Sequence, residues 1–151
     1  MNPVKYEQAL QRLAAYCSRG ERCIQDILRK MTRWELPEQE QKRAIQYLQK
    51  ENFLDERRFC RAFVHDKSQY NHWGVYKIRY ELQKKQIPEP LIREALSKID
   101  TDANREQLRQ ILAAKRKTVK GKNDYEINRK LMRFAAGKGF SLDDIEAAIG
   151  R

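Results

Sequence analysis

Basic side chains recur at one fixed place in three similar segments of this chain. Arg33, Lys84 and Arg133 each stand six residues after an isoleucine. On a helix this spacing turns a side chain by about 240° beyond one full rotation, away from the face that carries the isoleucines. Such cations either are solvated or bind phosphates or carboxylates. A solvated face is the more common explanation for such a set, and a shared binding face is the alternative that makes these residues candidate contacts.

A second concentration of positive charge lies in the segment KRKTVKGK at 115–122. One interpretation is a favourable charge at a helix end followed by a solvated loop. The net charge of +11 favours contact with a polyanion or an acidic protein surface instead. The predicted contact residues are Arg33, Lys77, Lys84, Lys85, Lys115, Arg116, Lys117, Lys120, Lys122, Arg129, Lys130 and Arg133.

Residue types that serve catalysis or metal binding are sparse and poorly spaced. His65, Asp66 and His72 stand near one another, but no second acid or recognisable nucleophile accompanies them. The sequence also lacks an HExxH motif, a P-loop and a glycine-rich dinucleotide motif. We therefore expect no enzyme, no cofactor and no metal, and we interpret these three residues as surface polar groups at a helix end.

Aromatic residues recur every three positions at Tyr70, Trp73 and Tyr76. They would either stack on unpaired nucleic-acid bases or pack a short loop onto the helices beneath it. Packing is the more common role for such a run, and both interpretations stay open at this point.

The composition indicates a charged protein with a limited core. Of 151 residues, 35% are charged and 40% are apolar, and no run approaches the 18 apolar residues of a membrane span. Three cysteines give an odd count with no CxxC pair. We expect a monomeric cytoplasmic protein with reduced thiols and no membrane contact.

Three segments, at 24–45, 75–96 and 124–149, can be superposed. In each, an isoleucine is followed four residues later by Met or Leu, which puts both side chains on one helix face. An apolar residue followed by Pro or Ser then predicts the start of a second helix. The third copy carries four more residues between these halves, which predicts one extra helical turn.

Another amphipathic stretch precedes each pair of predicted helices, and no segment alternates with the period of a strand. We therefore predict an all-α fold of three tandem three-helix repeats that form an elongated, curved ribbon. The predicted repeats span residues 6–54, 55–100 and 102–151. The last is the most basic, because residues 101–151 hold 12 basic and 7 acidic residues.

The stretches NFLDERRFCRAFV (52–64), WGVYKIRYELQKKQI (73–87) and KGFSLDDIEAAI (138–149) resemble the RecX family of bacterial RecA modulators. The chain departs from the family pattern at two positions. Glu56 stands where an aspartate is common, and Gln86 stands where a glycine is usual. Because glycine takes a left-handed conformation without strain, Gln86 predicts a different helix end in the middle repeat.

The resemblance implies a protein that binds the RecA filament on single-stranded DNA, contacting the strand directly or through RecA. It further implies that filament growth, strand exchange and RecA-stimulated repressor cleavage are limited. The alternative is a free-standing DNA-binding protein, since three-helix units also resemble helix-turn-helix domains. A structural repeat scaffold is a third interpretation, which the uneven charge of the repeats disfavours.

Overall fold

The computed structural model describes residues 4–150, and over that range the chain forms nine helices and no strands. The all-α prediction is confirmed. None of the helices between residues 4 and 150 is long and apolar enough to cross a membrane. The helices are α1 (Tyr6–Ser18), α2 (Ile24–Arg33), α3 (Glu38–Lys50), α4 (Glu56–Gln69), α5 (Val75–Lys84), α6 (Glu89–Leu96), α7 (Thr101–Arg116), α8 (Asp124–Gly137) and α9 (Leu142–Ile149).

We refer to α1–α3, α4–α6 and α7–α9 as the first, second and third units. Each unit packs its helices around an apolar cluster, and the cluster of the second unit also takes in Cys23, which precedes α2. Ile27 and Ile78 are fully buried, as is the apolar residue four positions after each. In the third unit Leu131 is fully buried and Ile127 is partly buried. The predicted helical spacing therefore places the repeated residues in the cores.

The first helix of each superposed pair ends in the same way. Glu35, Gln86 and Gly139 all have positive φ angles, of 60°, 60° and 97°. In each unit the amide of the next residue donates to the carbonyl oxygen five positions back. The expectation that Gln86 marks a different helix end is therefore wrong. Glu35 and Gln86 accept a left-handed conformation that costs a non-glycine residue about 1 kcal/mol, because the bonded turn holds them there.

The third unit differs from the other two by the predicted extra turn. α8 has 14 residues, whereas α2 and α5 have 10 each. The three helices begin at the same distance before the repeated isoleucine, so the added turn lies at the C-terminal end of α8. The prediction from the four additional residues is confirmed.

Polar side chains join the first unit to the second. Glu56 at the start of α4 accepts a hydrogen bond from the backbone N–H of Ile24 at 3.0 Å. Arg58 donates to Glu21 at 2.6 Å, and Lys85 donates to Asp26 at 3.3 Å. The N-terminal end of α2 is thus held against the second unit by carboxylates that accept its amides and by their ion pairs.

Asp26 lies at the centre of this joint, with its side chain only 15% exposed. Burial alone would raise the pKa of its carboxyl group. Hydrogen bonds from Cys23 and the charge of Lys85 outweigh burial, so the net effect lowers this pKa below its ordinary value. The stability that Asp26 contributes is therefore present above the unfolded carboxyl pKa of about 3.9 and is lost as the pH falls through the lower folded value.

Asp26→Asn should lower the free energy of unfolding by about 1–2 kcal/mol at pH 7, because the amide loses the ion pair and one charge-assisted hydrogen bond. The difference from the unmodified protein should shrink at a second, acidic pH below the lowered folded pKa of Asp26, where its carboxyl group is protonated. Urea unfolding at the two pH values measures both effects. Glu106→Gln is the matched control, because its partner Arg109 is exposed and such surface pairs contribute less than about 1 kcal/mol. An equal loss in both variants would contradict this account of the joint.

The second and third units are joined by direct contact between their backbones. The Gly74 amide donates to the Lys138 carbonyl at 2.7 Å, and the Tyr76 amide donates to the Gly139 carbonyl at 3.0 Å. A Cβ on Gly74 would lie 2.4 Å from the Gly139 oxygen, and a Cβ on Gly139 would lie 2.4 Å from Lys77 Cβ. Both glycines are therefore required for the two units to approach this closely.

Candidate functional site

At each of the two joints between units, the C-terminal end of one helix meets the N-terminal end of another. The C-terminal end of α8 meets the N-terminal end of α5 through the bonds to Gly74 and Tyr76. The C-terminal end of α5 meets the N-terminal end of α2, where Gln25 donates to the Lys84 carbonyl at 3.1 Å. α8, α5 and α2 therefore follow one another from end to end, and each joint brings a negative helix end to a positive one.

These helices carry exposed residues at three repeated positions, which lie two residues before, two after and six after the repeated isoleucine. Residues four apart occupy neighbouring places on one helix face, so each set of three spans about 12 Å. We call the nine residues the basic–aromatic stripe. They are Gln25, Arg29 and Arg33 on α2, Tyr76, Tyr80 and Lys84 on α5, and Tyr125, Arg129 and Arg133 on α8.

Apart from Gln25, the stripe is composed of cations and tyrosines, and it holds no acidic residue. Every member except the half-buried Gln25 is exposed, and Tyr76, Tyr80 and Tyr125 are 62%, 58% and 71% exposed. Large apolar rings with this exposure lie on the surface of the chain without forming part of its cores. In the second and third units the stripe therefore presents aromatic faces next to positive charges.

The cations lie beside the rings. Lys84 Nζ is 5.3 Å from the centre of the Tyr80 ring, and the Arg129 guanidinium is 5.8 Å from that of Tyr125. Exposed aromatic rings can stack on unpaired bases of any sequence, while the adjacent cations neutralise the phosphates between them. This arrangement suits a single-stranded nucleic acid, or an acidic surface that is bound through the cations alone.

The structure separates the predicted contact residues of the first and second units. Arg33 and Lys84 are exposed members of the stripe. Lys85 is paired with Asp26 in the joint, which gives it a structural role. Lys77 is half-buried, with its Nζ 4.6 Å from the centre of the Trp73 ring.

The predicted cluster at 115–122 is divided in the same way. Lys115 lies over the Phe134 ring at 4.8 Å, and Arg116 donates to Asn128 at 3.0 Å. Lys130 donates to the Lys120 carbonyl and lies 3.6 Å from Glu126. Three lysines of the cluster are exposed and make no ion pair within residues 4–150, namely Lys117, Lys120 and Lys122. The same is true of Arg129 and Arg133 of the stripe.

Sequence reasoning missed Arg29, Tyr80 and Tyr125 as members of one surface. The signal was present, because these residues stand at fixed distances from the repeated isoleucines that identified Arg33, Lys84 and Arg133. The run of Tyr70, Trp73 and Tyr76 also divides. Trp73 packs against the core of the second unit, whereas both tyrosines are exposed.

His65 and Asp66 are exposed on α4, with the His65 Nδ1 atom 3.5 Å from the carboxylate. His72 lies in the turn after that helix, and its buried Nδ1 atom makes no hydrogen bond. His65 and Asp66 are placed as surface polar groups near the end of α4, as interpreted from the sequence, whereas His72 is partly buried and departs from that interpretation.

Family models match more than half of the chain. The model described as the second three-helix domain of RecX matches residues 55–96, and the model described as the third matches residues 103–149. These ranges contain α4–α6, α8, α9 and all of α7 except its first two residues, and they therefore include two of the three helices of the stripe.

Relatives named regulatory protein RecX match over larger parts of the chain. A Chlorobium phaeobacteroides protein is 32% identical over 82% of this chain and 80% of its own length. One from Prosthecochloris aestuarii is 28% identical over 94% of this chain and 91% of its own length. One from Clostridium botulinum strain Eklund 17B is 34% identical over 71% of this chain, and the match covers half of that relative's length.

Solved structures share the fold at lower sequence identity. A crystal structure of regulatory protein RecX has a TM-score of 0.88 at 20% identity, covering 97% of this chain and 73% of the other. RecX from Lactobacillus salivarius has a TM-score of 0.81 at 18% identity, covering 95% and 94%. The helices of this chain are therefore arranged as they are in these two crystal structures.

Proposed function

The chain belongs to the RecX family of regulatory proteins, and on that premise we propose that it binds the RecA filament formed on single-stranded DNA. Through this binding it limits filament growth, strand exchange and RecA-stimulated cleavage of repressor. It acts as a monomer in the bacterial cytoplasm by stoichiometric binding, without catalysis and without a cofactor.

The observation that carries the proposal is the end-to-end order of α8, α5 and α2, which strings the basic–aromatic stripe across all three units. A filament offers the same protein surface and the same phosphates at regular intervals. A chain of similar units can follow such a partner because its own contact positions also recur. The cations can contact phosphates and acidic protein groups, and the tyrosines can contact unpaired bases.

Inhibition follows from mass action. Each protein bound along the filament occupies surface that another RecA subunit or an incoming duplex would need, and the bound complex is favoured in proportion to the free concentration of the regulator. The third unit is proposed as the main electrostatic contact, through Arg129, Arg133 and the exposed lysines at 117, 120 and 122. Arg33 and Lys84 extend the contact to the other units.

The helix-turn-helix alternative requires the last helix of a unit to enter a major groove. α9 has no basic residue, and it carries Asp143, Asp144 and Glu146. A helix with this charge would be repelled by the phosphates that line the groove. These residues oppose sequence-specific binding of a duplex by the most basic of the three units.

Fluorescence anisotropy with one labelled oligonucleotide tests the proposal. The strand is presented bare, as a duplex and coated with the cognate RecA, and the protein is titrated into each. We expect binding to the coated strand to be at least about ten-fold tighter than to the bare strand or the duplex. Tighter binding to duplex than to the coated strand would contradict the proposal and support the helix-turn-helix alternative.

A further inference from the structure

A groove in the third unit borders the basic–aromatic stripe and shares Arg129 and Arg133 with it. It has a volume of about 340 Å³ and runs between the C-terminal half of α8 and the start of α9. Phe140 and Ile145, which are 6% and 1% exposed, line its floor. Met132 and Leu142 line its sides, and Leu142 is 59% exposed. More than half of the Leu142 side chain is therefore open to solvent.

The other two units are polar at the equivalent positions. Five residues after the repeated isoleucine, Met132 corresponds to Thr32 and Gln83. Two residues after the repeated apolar residue, the equivalents of Leu142 are both glutamate, at positions 38 and 89. The fold therefore accepts polar residues at both places. The apolar pair is specific to the third unit and is not needed to build a unit of this kind.

The extra turn of α8 contributes Ala136 to the lining of the groove. This turn includes Ala136 and Gly137, which are both exposed, and a Cβ on Gly137 would meet no atom within 4 Å. Small residues at the end of α8 leave the space beside Leu142 unfilled. In α2 and α5 the helix ends four residues earlier, so neither helix has an equivalent of this turn.

The charge at the edge of the groove is positive. Arg129 and Arg133 both line it, and neither forms an ion pair with a carboxylate of residues 4–150. Asp144 of α9, by contrast, is already bonded to Arg105 at 3.1 Å. An occupant that matches this edge carries carboxylates, and one that matches the floor carries a bulky apolar side chain.

We propose that the groove docks a short acidic segment of a partner protein, whose bulky apolar side chain lies among Met132, Phe140 and Leu142 while its carboxylates pair with Arg129 and Arg133. The guanidinium groups form charge-assisted hydrogen bonds to carboxylates in two-pronged geometry. The proposal goes beyond the function proposed above and does not depend on it, because the partner is defined by its chemistry.

A fluorescein-labelled peptide of six acidic residues around a central Leu-Phe pair is the probe, titrated with the full chain and followed by anisotropy. Leu142→Glu, which introduces the residue of the other two units, should weaken binding at least about ten-fold and leave thermal unfolding unchanged. Leu28→Glu on α2 is the matched control, because Leu28 is also an exposed leucine, and it should bind like the unmodified chain. A peptide with Ser-Ser in place of Leu-Phe should bind at least about ten-fold more weakly.

Equal affinity of the unmodified chain and Leu142→Glu for the peptide would overturn the proposal. The proposal would also be overturned if Leu142→Glu weakened binding to bare single-stranded DNA as much as it weakened binding to the peptide, since the groove would then belong to a nucleic-acid surface. Dimers in sedimentation that Leu142→Glu dissociates would assign the groove to a second copy and would also overturn it. Failure of the chain to bind RecA filaments, with peptide binding intact, would instead remove the function proposed above and support this one.

Discussion

Gly139→Ala should separate the third unit from the second and lower the free energy of unfolding by about 3 kcal/mol. Two physical effects combine at this position. The φ angle of 97° is one that an alanine rarely adopts, and the new Cβ would lie 2.4 Å from Lys77 Cβ and 2.5 Å from the Lys77 backbone nitrogen. Because Lys77 belongs to α5, the overlap is relieved only if the two units move apart.

Gly137→Ala is the matched control, two residues earlier in the chain. Its Cβ would meet no atom within 4 Å, so we expect unchanged or slightly raised stability. Urea unfolding measures the global effect, and hydrogen exchange of the Gly74 and Tyr76 amides reports on the joint itself. Protection of these two amides should be lost in Gly139→Ala and kept in Gly137→Ala. Full protection and an unchanged midpoint in Gly139→Ala would contradict the close-approach account.

Arg129→Glu with Arg133→Glu should weaken binding to the RecA-coated strand by at least about 100-fold at low salt. Both side chains are exposed and lack ion pairs within residues 4–150, so their reversal should leave helix content and melting unchanged. If both contact phosphates, the slope of log K against log salt should become shallower by about 2. Reversal of Lys115 and Arg116 would be less informative, because these residues contact Phe134 and Asn128.

Lys50→Glu with Lys98→Glu changes the net charge by the same amount at exposed positions outside the basic–aromatic stripe. This control should weaken binding less than about five-fold, through the overall field alone. Anisotropy over a series of salt concentrations compares the two double variants. Equal losses of affinity would mean that net charge, and not the stripe, determines binding.

The sequence predicted the helices because their apolar residues keep a strict register. The isoleucine repeats, the Pro and Ser helix starts and the four additional residues before Phe140 each have a local physical cause, and each has its counterpart in the structure. The prediction at Gln86 was wrong because a residue other than glycine disfavours a left-handed conformation. The hydrogen bond from the Ile87 amide to the Leu82 carbonyl nevertheless imposes that conformation. Tertiary and turn bonding together outweigh a preference of about 1 kcal/mol.

The surface could be predicted only in part, because it depends on how the units join. Nothing near Lys85 in the sequence indicates Asp26 as its partner, since 59 residues separate them. The end-to-end order of α8, α5 and α2 likewise arises from contacts between distant segments, such as Gly74 with Gly139. Tyr80 and Tyr125 are recognised as members of the same stripe only when the repeated spacing, which was used to find the core residues, is also applied to the exposed residues. The exact boundaries between the three repeats, after residue 54 and after residue 100, stay a prediction.

The central claim is that the basic–aromatic stripe acts on the RecA filament itself. The most direct test titrates the single-stranded-DNA-dependent ATPase of the cognate RecA with the unmodified chain and with Arg129→Glu/Arg133→Glu, at two salt concentrations. We predict that the unmodified chain inhibits at amounts well below those that coat the bare strand, and that the double variant requires at least about ten-fold more protein. Inhibition that begins only when the bare strand is saturated, or equal inhibition by the double variant, would contradict the claim.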